Sequence, residues 1–181
     1  MRQYIGVDVS RDSLEVALAP EGGTRHFPNT PEGCRILCAW LMRQQAPGNF
    51  VQVILEPTST YHQRLVQQLV RSRLLFTLVN PARTAGYAKM RGSRAKTDPA
   101  DAGLLARYGE RETPAPSPEP DKEQERLRAL RRHRDWLQGE IGSAKNRLDA
   151  AQHSPWTPAS VRHSLERVLR EMEAEAQRID K

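Results

Sequence analysis

The stretch Arg94-Ala95-Lys96-Thr97-Asp98-Pro99-Ala100-Asp101 sets two carboxylates three residues apart at the start of a predicted helix. They fall on one face, one turn from each other, where they can share a cation. The stretch also closes a basic run. Between Glu56 and Asp98 the chain has no acid, while Arg64, Arg71, Arg73, Arg83, Lys89, Arg91, Arg94 and Lys96 accumulate. Acids beside such a belt fit metal-assisted chemistry on a polyanion. A purely local reading competes with it: Asp98 ahead of Pro99 makes an N-cap with proline at the first helical position, and Asp101 closes an acidic capping arrangement. Two further carboxylates, Asp8 and Glu56, each at a predicted strand, move the balance toward chemistry.

Cleaving a phosphodiester needs an activated water or hydroxyl on one side of phosphorus and charge neutralisation on the other. Two divalent ions roughly 4 Å apart supply both and demand a cluster of oxygen ligands. All the candidate ligands are hard oxygens, so Mg²⁺ is the natural cation, with Mn²⁺ as the alternative. Each acid also has a local explanation: Asp8 could cap a turn with Ser10, Glu56 could be a solvated strand end, and Asp12 or Glu15 could replace either. His26 and His62 read as surface or strand-edge residues, His62 being the nearer to Glu56.

The bulk properties agree with a nucleic-acid partner. The 181 residues carry a formal charge of +6 and suit one ordinary domain with an appendage. A mean hydropathy of −0.71 implies that part of the chain is solvated helix. Cys34 and Cys38, four apart on a helix-like segment, read as a buried face. The apolar run Tyr4 to Val9 is too short for a signal peptide and nothing reaches transmembrane length, so a cytoplasmic location is expected.

The elements that would position the acids follow in order. Gln3 to Val9 reads as a buried strand carrying Asp8 near its end, followed by Leu14–Leu18 and Thr24–Pro28 as antiparallel partners. Thr30-Pro31-Glu32 opens a helix with Cys34, Leu37, Cys38 and Leu41 on one face. Val51 to Leu55 is a β-branched strand ending at Glu56, Thr58-Ser59-Thr60 can cap a helix through Leu65, Leu69 and Val70, and Leu74 to Val79 is another strand. This α/β order predicts a mixed sheet with flanking helices, in the manner of ribonuclease H and RuvC nucleases, and brings Asp8 and Glu56 to one end of it. Ala82 to Arg94, with Gly86 and Gly92, predicts a weak helix.

Prolines at 114, 116, 118 and 120 predict an extended, semi-rigid linker over 113–121, separating a domain over 1–112 from a helical hairpin over 122–181. Leu127, Leu130, Leu137, Ile141, Ala144, Leu148 and Ala151 keep a three-and-four spacing, interrupted by Arg134, as in a coiled-coil seam. Ser154-Pro155-Trp156 breaks that helix, and a second carries Val161, Leu165, Val168, Met172 and Ile179. It reaches Lys181 with no stop signal, from which a longer protein is expected.

Taken together, Ile5-Gly-Val-Asp-Val-Ser10, Glu56-Pro-Thr-Ser-Thr-Tyr61, Asn80-Pro81, Arg94-Ala-Lys-Thr-Asp-Pro-Ala-Asp101 and Leu104-Leu-Ala-Arg-Tyr108 resemble the amino-terminal half of IS110-family transposases, the DEDD or bridge-RNA-guided recombinases. One departure is Ser59, where the family often has glycine. The resemblance implies a RuvC-like domain in which Asp8, Glu56, Asp98 and Asp101 bind Mg²⁺. It further implies a coiled-coil insertion, a separate carboxy-terminal domain supplying a nucleophilic serine and absent from this chain, oligomeric action on DNA, and guidance by a structured RNA.

Beside the acids, Arg83, Lys89, Arg91, Arg94 and Lys96 are expected to contact nucleic-acid phosphates, since cations flanking a metal site draw the backbone into register. The competing functions are a non-catalytic nucleic-acid-binding and oligomerising module, and a stand-alone RuvC-type junction nuclease. A sugar-kinase or actin-like ATPase shares the opening strand but needs a second glycine-rich phosphate loop, which the sequence lacks.

Overall fold

A computed structural model describes residues 2–19, 22–45, 50–90 and 98–179, without the side chains of 22 and 98–100. Two compact units divide at Glu119/Pro120. The first is built on strands β1 (Arg2–Val9), β2 (Ser13–Leu18), β3 (Gly22–Pro28), β4 (Phe50–Leu55) and β5 (Leu75–Leu78), in the spatial order β3-β2-β1-β4-β5. The β1–β2 and β2–β3 pairs are antiparallel, while β1–β4 and β4–β5 are parallel. This is the mixed, ribonuclease H-like sheet that the order of apolar runs implies, with β1 and β4 apolar along their length because both faces are covered.

Strand alternation sorts the two faces. Ile5, Val7 and Val9 point to the face where α1 (Pro31–Gln44) and α2 (His62–Arg71) bury Cys34, Leu37, Leu41, Leu65 and Leu69. The odd-and-even rule then sends Tyr4, Gly6 and Asp8 to the other face. There Tyr4 and Ile54 pack with Leu105 and Tyr108 of α4 (Asp98–Glu112), and Tyr87 of α3 (Pro81–Met90) meets Tyr108 edge-on at 5.7 Å. Cys34 and Cys38 are both free and buried, and burial pushes the Cys38 thiol up to about 11. At neutral pH both sulfurs pack as small apolar groups, as the helix periodicity predicts.

Thr30 caps α1 by accepting from the Gly33 amide, as expected. The start of α2 differs from expectation: the N-cap is Tyr61, which makes no side-chain cap, and Ser59 takes φ 48° within the turn. Glycine's freedom at that φ is missing. At the other end of α2, Arg73 sits at φ 53° while its amide reaches Val70 O and the Leu74 amide reaches Leu69 O, a Schellman ending normally filled by glycine. A left-handed non-glycine residue costs about 1 kcal/mol. Ser59→Gly and Arg73→Gly are therefore each expected to raise unfolding stability by about 0.5–1 kcal/mol, read as a higher urea midpoint.

Residues 113–119 pack with the first unit. The Ser117 amide donates to Phe76 O, the Leu78 amide donates to Ser117 Oγ, and buried Gln52 donates to Pro114 O. These bonds occupy the outer edge of β5, where prolines cost no ladder donor.

The second unit is the helical hairpin of α5 (Lys122–His153) and α6 (Ala159–Ile179). Asp121 caps α5 through the Glu123 and Gln124 amides. Leu137, Ile141 and Ala176 form its core with Leu169, Met172 and Ile179, and Lys145 pairs with Glu173 at 3.0 Å. The expected seam is only partly buried: Leu127 is 63% exposed, Leu130 44% and Val161 44%. Both leucines lie amino-terminal to the buried seam, which begins at Leu137. No described helix is long and apolar enough to cross a membrane.

Candidate functional site

Parallel pairing of β1 with β4 runs to Val7↔Leu55. Asp8 and Glu56 are the next residues on their strands, so they stand side by side at the carboxyl ends, both on the face covered by α3 and α4. Both are half-buried. In doubly covered sheets, that end is where ligands meet the loops.

The backbone of α4 approaches β1 closely, with its first turn toward the same end. A Cβ on Gly6 would lie 2.0 Å from Ala102 O and 2.4 Å from Ala106 N, so the helix backbone rests directly on the strand. Further along, a Cβ on Gly109 would meet Tyr4 Cδ1 at 2.8 Å and Ile54 Cγ1 at 2.6 Å. Hence α4 runs antiparallel to β1. Moving from Gly6 to Asp8 covers about 7 Å of strand, which matches about 4.5 residues back along the helix. That shift leads from the Ala102–Ala106 turn to the Asp98–Asp101 turn. Asp101 is half-buried there, and the side chain of Asp98 lies outside the described residues.

Glu56 is held by a residue the sequence reading did not single out. Thr84 of α3 is buried, and its hydroxyl lies against Glu56 Oε1 and 2.9 Å from Pro81 O. The hydroxyl has one proton to donate, and when it goes to Glu56 it fixes one carboxylate oxygen relative to the start of α3. Its only sequence signal is a threonine three residues after Pro81.

Of the two substitutes for the strand acids, Asp12 lies in the exposed β1–β2 turn beside Arg11 at 3.7 Å. Glu15 is the Cα partner of Asp8 on β2 and is held at 2.6 Å by Nδ1 of His26 from β3. The turn itself is closed by Ser10, whose hydroxyl accepts from the Ser13 amide. Asn29 Nδ2 donates to Ser10 O and Tyr61 O, tying the loops after β1 and β4 together.

Among the described residues, no group of three His, Cys, Asp or Glu side chains could hold a metal ion. The two strand acids nevertheless suit a Mg²⁺ ion in chemistry, because it is commonly held by one or two carboxylates, with water and substrate phosphate filling the other positions. If Glu56 is a ligand, Thr84→Val is expected to weaken Mg²⁺ affinity about 10- to 100-fold, measured by calorimetry, with the fold unchanged by circular dichroism.

Of the basic belt, Arg83 and Lys89 lie exposed on α3, beside Met90 at 87% exposure. Arg91, Arg94 and Lys96 lie outside the described residues.

The comparisons with known proteins bear on this site. The pilin gene-inverting protein of Moraxella bovis is 29% identical over 166 residues, and that of Moraxella lacunata 28%. Each alignment takes in 90% of this chain and 52% of the relative, so the chain spans about half the length of the curated relatives it matches. A family model described as transposase, that of the IS110-type DEDD proteins, matches residues 5–152, which include Asp8, Glu56, Asp98 and Asp101. The chain therefore belongs to the IS110-type DEDD transposase family.

Proposed function

We propose that this chain is the acid-bearing part of a DNA strand-exchange enzyme, in which Asp8, Glu56, Asp98 and Asp101 hold Mg²⁺ against a phosphodiester. The observation that supports the reading is the close approach of Gly6 to Ala102 and Ala106 of α4, next in sequence to Asp101. The name of the Moraxella relatives, pilin gene-inverting protein, supports DNA rearrangement as the reaction class.

Bound at these oxygens, Mg²⁺ would neutralise the phosphate and lower the pKa of an attacking water or hydroxyl. The protein's own part is positional. Asp8 and Glu56 present oxygens from neighbouring strands, Thr84 orients Glu56, and α4 delivers Asp98 and Asp101 from the opposite direction. Arg83, Lys89, Arg91, Arg94 and Lys96 bring the polyanion to that end. A separate serine-bearing domain supplies the nucleophile, a structured RNA guides the choice of DNA, and a second copy covers the exposed Leu127 and Leu130 of α5.

Replacing the five belt cations together by glutamine is expected to reduce the salt slope of duplex DNA binding by about four. Unchanged slopes would remove the belt from the account. The reading as a whole is tested on the complete protein in a plasmid inversion assay. It requires that recombination stop when Mg²⁺ is chelated and resume when the ion is restored. Recombination that persists in chelator would overturn it, and cleavage of branched DNA by this chain alone would favour the junction-nuclease reading.

A further inference from the structure

The amino-terminal half of α5 carries a face turned away from the side that holds its apolar seam. Every residue from Arg126 to Trp136 is exposed, and the buried seam begins at Leu137. This segment is also the most basic in the chain: Arg126 to Arg134 holds five arginines and a histidine with no acid. The arginines of α6, by contrast, are interleaved with Glu166, Glu171, Glu173 and Glu175.

Helical spacing places Arg128, Arg132 and Trp136 at i, i+4 and i+8, a ridge roughly opposite the side that buries Leu137, Ile141 and Ala144. The ridge ends in a built aromatic surface. Trp136 is 55% exposed, and the rings of His133 and Trp136 stack at 5.4 Å with an interplanar angle of 23°. Arg128 bonds Glu125 at 2.5 Å, an exposed pair of the weak kind that a phosphate can displace. A coiled-coil seam needs none of these groups, and an isolated solvated helix has no use for an exposed tryptophan among arginines.

We propose that this face of α5 is a second nucleic-acid-binding surface, which takes a single-stranded segment with its phosphates on the arginines and an unpaired base on Trp136. The assignment rests on reading the chain as a nucleic-acid enzyme. Cationic side chains that track the backbone and aromatic rings that stack on bases are the two components that single-strand binding requires. A duplex would offer the phosphates but keep its bases from the indole. RNA and DNA share this chemistry, and the choice between them is left to the probes.

The test uses the full chain in EDTA, so that the acids contribute no metal-bridged binding, with fluorescent oligo(dT), oligo(rU) and a duplex as probes. Replacing Arg128, Arg131 and Arg132 together by glutamine is expected to flatten the single-strand salt slope by about two. Trp136→Ala is expected to weaken single-strand binding about 5- to 150-fold, with Trp136→Phe restoring most of it. Neutralising Arg167, Arg170 and Arg178 on α6 is expected to change affinity less than twofold.

Ultraviolet cross-linking of oligo(rU) to the unaltered chain supplies a readout free of substitutions, with the expected adduct on the peptide carrying Trp136. Preference for one sugar through these residues identifies the source and supports the surface. Equal losses from the α5 and α6 variants, a duplex preference that survives Trp136→Ala, or adducts confined to the first unit would overturn it. In the last case the transposase reading stands. A chain that binds none of the probes at low salt would also overturn the surface, while the transposase reading keeps its own test in the complete protein.

Discussion

Gly6→Ala is expected to destabilise the first unit by about 3 kcal/mol, read as a lower urea midpoint for the sheet unit. The new methyl would meet Ala102 O and Ala106 N, both backbone atoms that no rotamer change can move. Either the helix lifts off the strand or the strand bends, and both responses void the contacts of Leu105 and Tyr108 with Tyr4 and Ile54. The functional consequence is larger than the loss of stability. Gly6 is two residues from Asp8, and Ala102 adjoins Asp101, so under the proposed function the same close approach would set the spacing of the acids. Gly86→Ala on α3 serves as the contrast, because nothing lies within 4 Å of its added methyl. Helix propensity alone should make that variant more stable by up to about 1 kcal/mol.

Glu56→Gln is expected to lower recombination by the complete protein on the order of a thousandfold, with stability nearly unchanged. The amide keeps the shape and can still accept from Thr84, so the structural role of the side chain survives. What disappears is one negative charge and one anionic oxygen at the carboxyl end of β4. A residue that merely solvates a strand end would tolerate the change. Losing activity without losing stability therefore separates a ligand from a scaffold residue.

The sheet was legible because β1 and β4 are buried on both faces and so appear over Tyr4–Val9 and Val51–Leu55 as mainly apolar runs, interrupted by Asp8 and Gln52 and bounded by turns. Asp8 and Glu56 could be paired on paper for the same reason: each follows its run by a fixed count. The contact that carries α4 to them was not legible, since a glycine within a strand has many uses and only the packed helix reveals this one. Thr84 was hidden because its partner is reached through the exit angle of β5 into α3, which no local pattern encodes. The seam leucines Leu127 and Leu130 obey the heptad as well as Leu137 does. Spacing alone therefore does not say which part of a seam is buried. The proline segment announced an extended chain, but its docking on β5 depends on bonds from Ser117 and Gln52 that composition does not predict.

The most direct measurement is a calorimetric Mg²⁺ titration of this chain beside its Asp8→Asn/Asp101→Asn double variant. Joint ligation from the strand end and the helix start predicts that the unaltered chain binds the ion and that the double variant binds it at least a hundredfold more weakly while keeping its fold. Equal Mg²⁺ affinity in the two proteins would contradict a shared metal site between β1 and α4.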